Sequence, residues 1–349
     1  MSPPMPGNEI RLPSEVLPSA PAMAEGPILF AMKSSAAFGA AVAARMGSAL
    51  SLHEEREFED GEHKARALVN VRGGDVYVIH SLHGDAAESP NDKLLRLLFF
   101  LGSLRDAGAA RLTAVAPYLA YARKDQRSKR RDPVTTRYVA SFFEAVGCDA
   151  VVTLDVHNVA AFENAFRCRA DNLSAAAVLV DHMAPLVGEA AVVVVSPDAG
   201  GIERADRFRA RRSERLGRSV GAAFVEKYRS EGVLRGGELI GDVKGRITII
   251  VDDLISAGHT IDRAANACKR GGAARVYAVA THGVFTGEAD AVLGTSVIER
   301  ILVTDTIPTM RLTDPGLVSR VERVSVAPLL AEAIARLHGG GSLEDLMPA

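Results

Sequence analysis

The twelve residues from Ile249 to Thr260, Ile-Ile-Val-Asp-Asp-Leu-Ile-Ser-Ala-Gly-His-Thr, constrain this chain more than any other stretch. A β-branched apolar run without polar alternation reads as a strand buried on both faces, the pattern of parallel sheets. Two aspartates, Asp252 and Asp253, follow at its carboxyl end. The loop Ser256-Ala257-Gly258-His259-Thr260 comes next, then a helix from about Ile261. Ligands of open α/β sheets bind at the carboxyl ends of the strands. A Gly-containing loop that opens a helix presents free backbone N–H groups and the positive end of the helix dipole to a phosphate. Adjacent carboxylates can hold sugar hydroxyls or, through water, a magnesium ion. The stretch points to a phosphorylated sugar. Read alone, it also fits a plain strand–turn–helix with Thr260 as N-cap and two solvated acids.

The rest of the chain alternates strands and helices. Residues 1–26 carry several prolines and little apolar periodicity, and read as a mobile tail. Ile28 to Met32 is the first apolar strand, followed by a small-residue helix around Ala36 to Met46. Val76 to His80 is a strand, and Pro90-Asn91-Asp92 caps a helix with Leu94, Leu97, Leu98, Leu101 and Leu104 on one core-facing stripe. Strands over Leu112–Ala116 and Val151–Asn158 flank a helix from Val134 to Val146. The second half repeats the outline, with a helix from Ser174 to Leu186, the strand Val192–Val195, a basic helix from Arg204 to Leu216, and a later strand at Val276–Ala280. Alternation in both halves implies two parallel-sheet domains.

Polar constellations fall at the predicted strand ends. Glu57 to Glu62 is a polar loop with one aromatic, Phe58, and by itself reads as a hairpin turn with Phe58 tucked inward. Tyr118 to Pro133 holds the one dense basic cluster, including Arg123, Lys124 and Arg127, suited to a polyphosphate. The strand from Val151 to Asn158 carries Asp155 and His157 at i and i+2, so alternation puts both on one side. Ser196-Pro197-Asp198-Ala199-Gly200-Gly201 brings two glycines to a helix start, where backbone can approach a ligand. The net charge of −2 gives no argument for a nucleic-acid or membrane partner, and no apolar run reaches a membrane span. Cys148, Cys168 and Cys268 are scattered, without metal-ligand spacing or a disulfide framework, which favours a reducing cytoplasm.

Taken together, these motifs resemble the ribose-phosphate diphosphokinase family, the synthetases of 5-phosphoribosyl diphosphate (PRPP), over roughly residues 27–347. The Val-Asp-Asp strand with its loop is similar to the PRPP loop of type I phosphoribosyltransferases, with Ser256 where the family has an acid and His259 where it has Gly. Phe58-Glu59-Asp60-Gly61-Glu62 is similar to the family's Phe-x-Asp-Gly-Glu, Tyr118 to Asp125 to its Pro-Tyr-x-x-Tyr-Ala-Arg-Gln-Asp loop with Lys124 for Gln, and Asp155-Val156-His157 to its Asp-Leu-His. The resemblance implies two related type I phosphoribosyltransferase-like domains, 27–173 and 174–326, with the helix at 327–347 joining the first and Asp171-Asn172-Leu173 as crossover.

It also implies transfer of the diphosphoryl group of Mg-ATP to ribose 5-phosphate. Phe58, Asp60 and Glu62 would serve ATP on a neighbouring subunit, and Arg123, Asp125 and His157 would serve ATP on their own. Asp155, His157 and Asp198 would serve Mg²⁺; Asp198, Asp252, Asp253 and Ser256, Ala257, Gly258, His259 and Thr260 would hold ribose 5-phosphate. Lys227 and Arg229, in a stretch similar to the family's mobile catalytic loop, would act on the transition state, with Tyr228 between them where the family is basic. A homo-oligomer, dimer or hexamer, is implied as well. A nucleobase phosphoribosyltransferase, a non-catalytic regulatory homologue and the same reaction run in reverse are the alternatives.

Overall fold

The computed structural model describes residues 26–230, 233–309 and 311–348, and for 227–230 and 233–236 the backbone alone. All but the last residue of the expected tail lies outside them. In chain order the first half supplies β1 (Ile28–Ala31), α1 (Ala36–Arg45), β2 (His53–Glu57), β3 (His63–Ala67), β4 (Asp75–Ile79), α2 (Pro90–Asp106), β5 (Arg111–Val115), α3 (Thr135–Ala145), β6 (Ala150–Leu154), α4 (Val159–Ala165) and β7 (Arg169–Leu173). The second half supplies α5 (Ala176–Val187), β8 (Val192–Ser196), α6 (Ile202–Leu216), β9 (Gly221–Ser230), β10 (Val233–Ile240), β11 (Ile247–Ile255), α7 (His259–Arg270), β12 (Arg275–Gly283), α8 (Ala289–Gly294), β13 (Arg300–Thr304), α9 (Pro315–Val318), β14 (Val321–Val324) and α10 (Ala327–Gly339).

The first sheet is parallel throughout, in the order β1-β4-β5-β6-β7. The second runs β10-β9-β8-β11-β12-β13-β14, parallel except for β10, which returns antiparallel on β9. Their central strands are buried on both faces because Val and Ile project both ways, as in Val192–Val195 and Ile249–Val251. The strand order matters for function. In the second sheet the chain moves one way from β8 to β9 and the other way from β11 to β12, so the order reverses between β8 and β11. Such a switch point opens a crevice at the strands' carboxyl ends. The first sheet adds its strands in one direction and has no such reversal.

One apolar cluster runs through both halves and contains Ile79 and Leu154 of the first sheet, Ile249 and Leu302 of the second, Met183 of α5 and Ile334 of α10. The α2 stripe Leu94, Leu97, Leu98, Leu101 and Leu104 is buried on the first sheet's other face. α2 is capped by Ser89, whose hydroxyl accepts from Asp92 N while Asp92 accepts from Ser89 N. Pro90 occupies the first turn, where its missing N–H costs nothing. The cap lies one residue before the Pro-Asn-Asp expected from sequence.

Asp171, Asn172 and Leu173, the expected crossover, end strand β7 directly before α5 of the second half. Another expectation shifts as well. The stretch around Lys227 and Arg229, expected as a loop, has its backbone on β9, paired with β10 with a bulge between Arg235 and Glu238. The side chains of Lys227 and Arg229 lie outside the described residues.

The C-terminal helix returns to the first sheet. Arg111 at the start of β5 donates from Nε to Asp75 Oδ1 (2.6 Å), and its Nη2 reaches Asp75 Oδ2 and the Leu337 carbonyl. His338 Nδ1 approaches Asp75 Oδ2 at 2.7 Å, and the Tyr77 hydroxyl donates to the same oxygen. Burial alone would raise the Asp75 pKa; the hydrogen bonds from Arg111 and His338 outweigh it and hold the carboxyl below its usual value. Asp75→Ala should therefore destabilise the fold by on the order of 2 kcal/mol, less than the loss of a fully buried pair because Arg111 is half-exposed and can be resolvated. The expected observation is a lowered thermal midpoint together with early proteolysis at the α10 boundary. An unchanged midpoint would show that this carboxylate does not tie α10 down.

Candidate active site

The two sheets meet at strand ends. β12 runs on through Thr281 and His282, and these two side chains cross to the end of β6. Thr281 Oγ1 donates to Asp155 Oδ2 (2.6 Å), and His282 Nε2 is 3.0 Å from the Leu154 carbonyl. His282 is fully buried, which lowers its pKa and keeps the ring neutral. It therefore donates from Nε2 and accepts from Thr306 Oγ1 at Nδ1, 2.9 Å away. These contacts bring loops of the first half over the crevice between β8 and β11.

A cleft of about 750 Å³ results. It is lined by Arg123 and His157 from the first half, by Asp198 to Gly201 after β8, by Arg204 of α6, and by Asp252 to Ile261 from the end of β11 into α7. The sequence-predicted residues Arg123, His157, Asp198, Asp252, Asp253, Ser256, Ala257, Gly258, His259 and Thr260 are thus brought together in one space. Asp125 lines an adjoining cleft of about 510 Å³ that shares His157, Arg204 and Asp252 with the first. Asp125 Oδ2 accepts from Asn158 Nδ2 (2.8 Å). Phe58, Asp60 and Glu62 line neither cleft. They lie at and beside the tip of the β2–β3 hairpin, where Phe58 N donates to the Glu62 carbonyl. The tip is a turn, but Phe58 is not tucked in: it is 40% exposed, with the Arg56 guanidinium 5.0 Å over its ring.

β11 continues through both aspartates to Ile255, further than the apolar run suggests. The loop then closes on Gly258, which has φ 90° and caps α7; the helix starts at His259, two residues earlier than expected, and Thr260 lies inside it. A Cβ on Gly258 would come within 2.7 Å of the Leu293 side chain. Only glycine meets both demands. After β8, Asp198 Oδ1 accepts from Gly201 N (3.2 Å), forming a short turn into α6.

Asp155 and His157 do not share a side by strand alternation. β6 ends at Leu154, and Asp155 has φ 39°, a left-handed conformation that breaks the pleat. Asp155 Oδ2 is committed to Ala175 N and Thr281, while the His157 ring turns to Asp253. Among the described residues, no three His, Cys, Asp or Glu side chains converge to hold a metal ion unaided, so Asp155, His157 and Asp198 do not form a preassembled metal centre.

The electrostatic centre is the Asp252–Asp253 pair. His157 Nδ1 is 2.8 Å from Asp253 Oδ2. Arg204 Nη1 donates to Asp252 Oδ1 (3.1 Å) and lies 3.3 Å from Asp253 Oδ1, while its Nη2 donates to the His157 carbonyl (3.2 Å). Burial, then the adjacent carboxylate, pushes Asp252 well above the usual carboxylate range. Burial acts the same way on Asp253, but the His157 hydrogen bond and the Arg204 charge overcome it and hold Asp253 ionised far below that range. Sequence reasoning treats Arg204 only as the start of a basic helix. Its place on the first turn of α6, shortly after Asp198, is the signal that could have found it.

Both halves thus carry the phosphoribosyltransferase-type α/β architecture, with a phosphate-style loop at the switch point of the second. A family model described as the N-terminal domain of ribose phosphate pyrophosphokinase matches residues 27–147, and one described as the phosphoribosyl synthetase-associated domain matches 236–348. The chain is 37% identical over 319 residues to a ribose-phosphate pyrophosphokinase of Caldanaerobacter subterraneus subsp. tengcongensis, covering 91% of this chain and 96% of that one. It is 38% identical over 291 residues to the Pasteurella multocida ribose-phosphate pyrophosphokinase, covering 83% and 89%. The crystal structure of phosphoribosylpyrophosphate synthetase from Mycobacterium smegmatis superimposes with a TM-score of 0.81 at 30% identity, over 91% of this chain and all of that one. The chain belongs to the ribose-phosphate pyrophosphokinase family.

Two outcomes are expected of this geometry. The hydrogen bond from Asp253 raises the His157 pKa above its ordinary 6.5 against the opposing effect of burial. A raised folded-state value stabilises the fold fully below about 6.5 and loses that contribution as pH rises through the raised value. Asp253→Asn should move the His157 ring titration, followed by NMR, to lower pH; an unmoved midpoint would mean the pair is not formed in solution. Gly258→Ala should cost roughly 1–3 kcal/mol through left-handed strain and the Leu293 clash, read as a drop in thermal midpoint, whereas a neutral substitution would show that the loop relaxes freely.

Proposed function

We propose that this chain transfers the diphosphoryl group of Mg-ATP to the C1 hydroxyl of D-ribose 5-phosphate, giving PRPP and AMP for nucleotide biosynthesis. The observation that carries the reading is the shared cleft, in which the loop and aspartates of the second sheet's switch point face Arg123 and His157 of the first half. A transfer between a sugar phosphate and a nucleotide needs both partners in one water-poor space, each presented by its own half. Near-full-length likeness to ribose-phosphate pyrophosphokinases supports the same reading.

In this proposal the backbone N–H groups from Ser256 to Thr260 hold the 5-phosphate at the start of α7. Asp198 and the Asp252–Asp253 pair take the ribose side. Arg123 and His157 serve the ATP phosphates, Asp125 orients the basic groups beside them, and the Phe58–Glu62 tip, which lines neither cleft, reaches the adenine bound to a neighbouring copy of the chain. Mg²⁺ is held by one or two carboxylates together with substrate phosphates and water, so it does not require a preassembled cage; His157 and Asp198, which both line the cleft, would stand beside it as it neutralises phosphate charge. Lys227 and Arg229 would neutralise the charge that develops in transfer. Residues 27–173 with helix 327–347 would form the ATP domain, and 174–326 the sugar-phosphate domain.

The test is phosphorus NMR on the purified chain with ribose 5-phosphate, ATP and Mg²⁺, repeated from PRPP and AMP. PRPP and AMP signals are expected from the first mixture; silence in both directions from folded protein would overturn the reading. Lys227→Ala should cut turnover by on the order of a hundredfold or more with the fold intact. A variant of undiminished rate would remove Lys227 from the chemistry.

A further inference from the structure

The two aspartates at the end of β11 are neighbours in sequence but not equivalent in space. Asp253 is almost wholly buried and both its carboxylate oxygens are taken, Oδ1 facing Arg204 at 3.3 Å and Oδ2 facing His157 at 2.8 Å. Asp252 is more open. Its Oδ1 accepts from Arg204 Nη1 (3.1 Å) and from Asp253 N (2.9 Å), and no hydrogen-bond donor among the described residues reaches its Oδ2. Arg204 closes the arrangement by donating to the His157 carbonyl, so that α6, β11 and the end of β6 are tied through one guanidinium. Arg204 is only one-fifth exposed and forms part of the wall of both clefts. A planar fork with fixed donor directions orients a carboxylate in a way a point charge cannot.

We propose that Arg204 and His157 clamp Asp253 as a strut between the two halves and leave Asp252 Oδ2 as the acceptor for the sugar hydroxyls, which makes Arg204 the positioning residue for Asp252. This rests on the sugar-phosphate reading of the cleft and divides a pair that the sequence presents as one unit. The consequence is selective. Loss of the clamp removes the cation that opposes protonation of Asp252, so its carboxyl turns to Asp253 as a proton donor and the cleft loses its oriented acceptor while the phosphate loop on Gly258 keeps its geometry.

The experiment measures binding of ribose 5-phosphate to the full chain by calorimetry, alongside KM and kcat, for the unaltered protein, Arg204→Ala, Arg204→Lys, Asp252→Asn, Asp253→Asn and the Arg204→Ala/Asp252→Asn double variant, with thermal midpoints recorded for each. Arg204→Ala and Asp252→Asn should each weaken ribose 5-phosphate by about ten- to a hundredfold, the range for a lost hydrogen bond to a charged group, and raise its KM far more than they lower kcat. Arg204→Lys should recover part of the loss. The double variant should bind no worse than Asp252→Asn alone, because Arg204 acts through that carboxylate. Asp253→Asn should lower the thermal midpoint more than it weakens the sugar.

Additive losses in the double variant would overturn the proposal. So would equal weakening by Asp252→Asn and Asp253→Asn at unchanged midpoints. A fall in kcat and midpoint without a KM change in Arg204→Ala would assign that residue a purely structural role and overturn the proposal too. Failure of the unaltered chain to bind ribose 5-phosphate would overturn the sugar-phosphate reading itself and this assignment with it, an outcome none of the variants can mimic.

Discussion

His282 joins the carboxyl end of β12 to the carboxyl end of β6 by a hydrogen bond to the Leu154 carbonyl, at the seam where the strand ends of the two sheets face each other. A parallel sheet offers its binding edge only at the strand ends. Two sheets can share one site only if those ends face each other, and that requires polar backbone at both ends to be satisfied away from water. The buried neutral imidazole meets the requirement from one side, with Thr306 fixing its tautomer. Thr281 and Asp155 meet it from the other. Ser81 Oγ donating to the Thr306 carbonyl (2.6 Å) extends the seam to the end of β4.

The halves divide the work because their topologies differ. The second sheet reverses its strand order between β8 and β11 and so has a crevice of its own, which the Asp198 turn and the Gly258 loop line. The first sheet adds strands in one direction and supplies instead a set of loops that overhang its neighbour's crevice. Arg123 and His157 reach the shared space through those overhanging loops rather than through a crevice in their own sheet. The apolar cluster running from Ile79 through Met183 to Ile249 makes the relative placement of the halves a packing matter, since interiors at crystal-like density resist small shifts.

Most elements were legible in the sequence because their signals are local. The β-branched runs of β8 and β11, the leucine stripe of α2 and the order of polar motifs at strand ends each depend on a few consecutive residues. What was not legible depends on partners distant in the chain. Asp155 leaves the strand because Thr281, more than a hundred residues later, and Ala175 N compete for its carboxylate, so strand alternation gave the wrong geometry. Arg204 looks like one arginine among many on a basic helix until β11 brings two carboxylates beneath it. The β9–β10 pairing was hidden because its glycines and charges, from Glu226 to Glu238, imitate a loop.

The unusual residues of the loop from Ser256 to Thr260 are explained by where their side chains go. A phosphate cradle at a helix start works through backbone N–H groups, which any side chain leaves in place provided the backbone keeps its path. Gly258 supplies the left-handed step that the path needs, backed by Leu293. His259, standing where the family has Gly, is exposed, and its Nε2 lies 3.1 Å from Glu288 Oε2 at the start of α8. Ser256, standing where the family has an acid, is 2.7 Å from the Thr286 hydroxyl. Both side chains are tied to the segment between β12 and α8, which braces the loop from behind. Both contacts are side chain to side chain and engage none of the loop's backbone N–H groups. In the proposed sugar-phosphate reading, recognition of the sugar hydroxyls then rests on how the Asp252–Asp253 pair is held more than on the composition of the loop.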